Sequence, residues 1–145
     1  MNKKNKQQAL GIIAQHIKDL SFENISSFPM SAEPQPQIDV QMKVDIEKNN
    51  ENYNISLITK IEAKLEKPLF ILELNYSGVF VVEGFPENML NPILYIECPR
   101  LLFPFARSII ASTVTEGGFP PLYLAPVNFA ELYQQQQESK KQTLQ

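Results

Sequence analysis

Ile38-Asp39-Val40-Gln41-Met42-Lys43-Val44-Asp45-Ile46 alternates without interruption. Successive side chains of a strand point to opposite faces, so Ile38, Val40, Met42, Val44 and Ile46 share one side and the polar residues share the other. This pattern predicts a half-buried β-strand. Lys48 to Asn52 is a polar, asparagine-rich turn, and the alternation then resumes over 53–66. There Tyr53, Ile55, Leu57, Thr59, Ile61, Ala63 and Leu65 oppose Asn54, Ser56, Lys60, Glu62 and Lys64. Two such runs joined by a short polar turn form an antiparallel hairpin. A turn at Lys67-Pro68 leads to a third long strand over 69–82.

Upstream, Leu20 and Phe22 alternate with Asp19, Ser21 and Glu23, which predicts a short strand over 17–23. Residues 2–15 read as a frayed or partly helical lead-in. Residues 26–37 hold Pro29, Pro34 and Pro36 and read as an extended loop. The third strand differs from its neighbours. Phe70, Leu72, Leu74 and Tyr76 line one face, and Leu69, Ile71, Val79 and Val81 put apolar groups on the other beside Glu73 and Asn75. A strand apolar on both faces needs cover on both. An oligomer contact supplies that cover, and so does a central position in the sheet.

Downstream of Gly84 the period changes. Residues 86–94 suit a short helix. Cys98-Pro99-Arg100 reads as a helix start, since proline suits the first turn. A long helix then runs from Arg100 to Glu116, apolar nearly all round, with Pro104 in its first turns and Gly117-Gly118 at its end. Phe119 to Val127 is rich in proline and large apolar groups and cannot be helical. Asn128 and Glu131 form a capping pair for a last short helix, from Phe129 to about Gln137. A polar tail over about 138–145 follows. The fold class is therefore α+β, a four-stranded antiparallel sheet with a long helix and a short C-terminal helix, in a single domain over 1–145.

Composition narrows function. Thirteen Lys and Arg against sixteen Asp and Glu leave a net charge of −3, a poor match for nucleic acid. One cysteine, Cys98, excludes an intramolecular disulfide, and one histidine, His16, excludes a multi-histidine metal site. The apolar stretch at 9–14 is too short for a signal-peptide core, and the one at 101–106, between Arg100 and Arg107, is too short to span a bilayer. These features lead to the expectation of a cytoplasmic protein without membrane insertion.

Catalytic signatures are missing. Five glycines form neither a phosphate-binding loop nor a dinucleotide fingerprint, and there is no nucleophile elbow. Cys98 reads as a small buried residue rather than a nucleophile. Asp39, Asp45, Glu62 and Glu66 lie on polar strand faces, where solvation suits them better than acid–base work. The sequence thus predicts no enzyme, no metal and no cofactor. Two features remain. Apolar and aromatic groups at 119–127, followed by Phe129, Leu132 and Tyr133, suit either a core or the capture of other chains. Asp19, Glu23 and Glu73 suit either a solvated face or an acidic dock for a basic partner.

The stretches Ile17–Glu23, Glu97–Arg107 (with Cys98-Pro99 and Leu102-Phe103-Pro104-Phe105-Ala106-Arg107) and Gly117–Tyr133 together resemble the SecB family of bacterial export chaperones. They occur in family order and spacing, in a chain of family length. The resemblance implies a homotetramer, a dimer of dimers with helices between two sheets. It implies an ATP-independent holdase that keeps unfolded precursor proteins translocation-competent and delivers them to SecA. On this resemblance Asp19, Glu23, Ile71 and Glu73 contact SecA. Phe28, Met30, Phe119, Leu122, Leu124, Phe129, Leu132 and Tyr133 line the client groove, with the last helix as a lid. Leu72, Leu74 and Tyr76 lie toward the dimer–dimer interface. The alternative within the same fold is a chaperone dedicated to one client, such as an antitoxin.

Overall fold

The alternating stretch pairs as expected. β2 (Gln37–Asn49) and β3 (Asn52–Lys64) form an antiparallel hairpin in continuous register, from Gln37 opposite Lys64 to Asn49 opposite Asn52. Asn50 turns the corner at φ 57°, in the left-handed region that asparagine tolerates better than most residues. The structure, a computed structural model, describes residues 7–26 and 35–144. Phe28 and Met30 lie outside the described residues, as does most of the proline-rich loop.

β4 (Pro68–Glu83) pairs with β3 on one side and with β1 (Ala9–Asn24) on the other, giving the order β1-β4-β3-β2. β1 is much longer than the seven-residue strand expected. Residues 9–15, read above as lead-in, pair with the far half of β4, from Ala9 opposite Glu83 to Gln15 opposite Gly78. The pattern was illegible because the strand carries register shifts between Ile12 and Ala14 and between Ile17 and Asp19. Each shift resets which phase of the sequence faces inward. The backbone of β4 supplies the partner that local periodicity could not reveal.

One face of the sheet carries the core. Leu57, Ile61, Leu72 and Phe80 have no exposed surface, and α2 (Cys98–Glu116) packs over them with Cys98, Leu102, Ala106, Ile110 and Val114. These five recur every fourth residue, which places them in one row along the helix. Leu101 and Phe105, each one residue before a member of that row, lie on its flank and remain exposed. Cys98-Pro99 is not a helix start. The backbone is already helical through α1 (Glu87–Pro92) and one π-helical turn (Ile93–Glu97). Pro99 lacks the N–H that would continue an α-ladder, and a widened turn directly before it accommodates that loss.

Gly118, at φ +98°, ends α2. Phe119 N–H donates to the Val114 carbonyl at 3.2 Å and Gly118 N–H to the Thr115 carbonyl at 3.1 Å, the paired bonds of a Schellman motif. The strap over 119–128 leads to α3 (Phe129–Leu144). Asn128 caps α3 as expected, its side-chain oxygen accepting from Glu131 N–H at 3.1 Å. The helix continues past Gln137 to Leu144, through what the sequence suggested was tail. Tertiary contacts hold it there. Gln136 Oε1 accepts from Val44 N–H at 2.9 Å, and Gln136 Nε2 donates to the Val44 carbonyl at 3.3 Å. One side-chain amide thus replaces a neighbouring strand at the open edge of β2.

Candidate functional site

Three of the expected surfaces take definite positions. At the C-terminal end of α2, Phe22, Phe70 and Phe119 form an aromatic cluster, with ring centroids 5.3 Å apart for Phe22–Phe70, 4.9 Å for Phe70–Phe119 and 6.3 Å for Phe22–Phe119. Beside it opens a cavity of about 220 Å³, walled by Pro36, Ile38, Leu69, Pro120 and Leu122 among others. It is mostly apolar and borders Gln35, where the proline-rich loop returns. Such a cavity takes an apolar side chain rather than a charged one.

The expected client-groove residues divide. Phe119 and Leu122 line this cavity. Leu124 and Phe129 are buried, and Phe129 meets Phe103 edge-on at 5.9 Å. Leu132 and Tyr133 are half-buried, and Tyr133 stacks on Tyr95 at 5.0 Å. Lys140 places its ammonium 5.8 Å from the centre of the same Tyr95 ring. None of the four α3-side groups, Leu124, Phe129, Leu132 and Tyr133, walls the Phe119 cavity. Tyr123, within the aromatic stretch over 119–127, is at 64 % the most exposed large apolar side chain among the described residues, and its ring lies 5.7 Å from the Arg107 guanidinium.

The second surface is the sheet face turned away from α2. Register places Glu23 opposite Ile71, Ser21 opposite Glu73 and Asp19 opposite Asn75, so all of these share that face. Asp19, Glu23 and Glu73 are exposed and Ile71 is half-buried. A lysine missed by the sequence reading stands beside them on β3, next to Glu73. Lys60 Nζ lies 3.4 Å from Glu62 Oε1 and 4.0 Å from Glu73 Oε1.

The third surface needs a correction. Leu72, Leu74 and Tyr76 face α2, with 0, 1 and 6 % of their surface exposed. They are core residues of this chain and have almost no surface left for another copy. The alternation was read correctly, but the inner face was matched to the wrong neighbour, because a strand pattern does not say which layer covers it. Phe105 stacks over Tyr76 at 6.3 Å and presents its other side outward. Burial raises the Tyr76 pKa, against a smaller opposing effect from its hydrogen bond with Gln15. Cys98 is fully buried, and burial followed by the Glu97 carboxylate pushes its thiol up to about 12. A thiol held protonated is no nucleophile. His16 is exposed on β1 opposite Ser77, on the outer face, so the sheet lies between it and Cys98.

The family model for preprotein translocase subunit SecB matches residues 3–140. The chain belongs to the SecB family of protein-export chaperones. A SecB protein-export protein of Rhodopseudomonas palustris (strain TIE-1) is 50 % identical over 140 residues, 92 % of this chain and 87 % of that one. The corresponding SecB of Nitrobacter winogradskyi is 47 % identical over 135 residues, covering 89 % and 84 %. Among solved structures, a Mycobacterium tuberculosis SecB-like chaperone in complex with an antitoxin peptide superposes with a TM-score of 0.70. It covers 81 % of this chain and 90 % of its own at 10 % identity, a likeness of fold. SecB proteins are chaperones rather than enzymes. Among the described residues no cluster of His, Cys, Asp and Glu could hold a metal ion, and no helix is long and apolar enough to cross a membrane.

Proposed function

We propose that this chain is an ATP-independent holdase of the bacterial cytoplasm. It binds unfolded precursor proteins, keeps them competent for translocation and hands them to SecA. The observation that carries this reading is the apolar cavity beside Phe119, open next to a strap that exposes Tyr123. An unfolded chain offers apolar side chains without a fixed sequence. Several such sites on one assembly hold it by avidity, and no nucleotide is required.

The working unit in this reading is a homotetramer, a dimer of dimers. β1 is an edge strand of 16 residues with Leu10, Ile12, Ile13, Ile17 and Leu20 exposed, a surface that pairing with a second copy would cover. Leu101 and Phe105 on the exposed flank of α2 supply the apolar patch for the other contact. Asp19, Glu23, Ile71 and Glu73 form the SecA dock, and their carboxylates suit a basic partner. This acidic dock favours the export role over a chaperone dedicated to one antitoxin.

The test is mass by light scattering, with and without a chemically unfolded secretory precursor and without nucleotide. A tetramer that gains one precursor, and loses that capacity in Leu122→Asp, supports the reading. A monomer that ignores the unfolded chain refutes it.

A further inference from the structure

We propose that Lys60 is a built-in competitor on the acidic sheet face, an ammonium that occupies Glu73 until a basic partner displaces it. The proposal rests on the docking role assigned to that face above. Lys60 borders the acidic group, next to Glu73 on the side away from β1. On β3 it pairs with Glu73 of β4 on one side and Gln41 of β2 on the other. Its ammonium lies 3.4 Å from the Glu62 carboxylate and 4.0 Å from that of Glu73.

Stability does not explain its presence. The side chains of Lys60, Glu62 and Glu73 are 44, 49 and 52 % exposed, and ion pairs so well solvated add little to a fold. Its effect falls on whatever approaches. A cationic segment that reaches for Glu73 meets a like charge already within 4.0 Å of the same oxygen. Either Lys60 swings away and gives up both carboxylates, or the incoming cation binds against its repulsion. Weakly basic partners are rejected by this arrangement, and only a segment with several positive charges overcomes it. That is specificity by a repulsive element placed at the border of an attractive patch.

The experiment is calorimetric titration of SecA into the full-length protein at about 50 and about 300 mM salt, where screening lengths differ. The variants are Lys60→Met, Lys60→Arg, Glu73→Gln and the double variant Lys60→Met/Glu73→Gln. Lys60→Met is expected to bind about three- to tenfold tighter at low salt, the range of a relieved surface charge contact, with the gain shrinking at high salt. Lys60→Arg keeps the charge and behaves as wild type, and the double variant loses the gain. If Glu73→Gln weakens binding while Lys60→Met matches or falls below wild type, the competitor role is overturned and the docking face stands. A gain that persists in the double variant overturns it as well, since Lys60 then acts through something other than Glu73. If Glu73→Gln leaves binding unchanged, the docking assignment itself fails and takes this inference with it.

Discussion

Gly117→Ala tests the junction between α2 and β1. Gly117 has φ −78° and ψ −1°, ordinary values for alanine. Backbone strain is therefore absent, and alanine would stabilise by about 0.4–1 kcal/mol through the unfolded state alone. Space decides the sign. A Cβ at this position falls on Cε1 and Cζ of Phe22. That ring is boxed in by Phe70 at 5.3 Å and Phe119 at 6.3 Å, so it moves only by disturbing the aromatic cluster. Asn24, two residues along β1, donates to the Gly117 carbonyl at 2.9 Å and so holds the helix end against the strand. Overpacking of this kind costs about 1–3 kcal/mol. The net expectation is a loss of about 1–2 kcal/mol, which lowers the melting midpoint by about 3–6 °C for a chain of this size. Thermal and urea melts at one fixed protomer concentration measure it, because assembly would otherwise shift the midpoint. Phe22→Leu in the Gly117→Ala background should recover most of the loss relative to Phe22→Leu alone. A Gly117→Ala protein more stable than wild type would refute the steric reasoning, since that is what an open site predicts.

Leu74→Arg should prevent folding of the subunit, because a charge at a site 1 % exposed costs several kcal/mol of a total of about 5–15. Phe105→Arg, at a site 47 % exposed, should keep native circular dichroism and shift the light-scattering mass downward; a folded, dissociated Leu74→Arg would reverse the core assignment. Cys98 should resist iodoacetamide in the native state at pH 8 and react in urea, as expected of a buried thiol pushed up to about 12. Because the folded pKa lies above the ordinary value of 9.0, the unfolded chain ionises first as pH rises. Stability should thus fall between about pH 9 and 12, and Cys98→Ala should flatten that decline in alkaline melts. Gln136→Ala should speed hydrogen exchange at the Val44 amide about tenfold, for a hydrogen bond worth about 1 kcal/mol or slightly more, while Leu57 stays protected.

The central hairpin and β4 were legible because each strand is buried on one face and keeps an uninterrupted period of two. The Asn128 cap was legible because it depends on residues three apart. The start of β1 was not, since its two register shifts break the period and its partners lie 63 to 74 residues away in β4, from Gln15 opposite Gly78 to Ala9 opposite Glu83. The second half of α3 was not, because residues 138–144 read as a polar tail, and only the tertiary structure shows Gln136 tying the helix to the open edge of β2 just before them. The site followed the same division. Asp19, Glu23, Ile71 and Glu73 share a face by parity and register. Lys60 joined them only when β3 was laid beside β4. Leu72, Leu74 and Tyr76 were rightly grouped and wrongly placed, because alternation separates two faces without saying which one the helix covers. By itself, the sequence determined the class of fold, the family and the pairs of residues that travel together, since these rest on local period and motif. Tertiary structure alone decided which face became core, where the aromatic cavity opens and which charges stand against each other, since those depend on contacts between segments far apart in the chain.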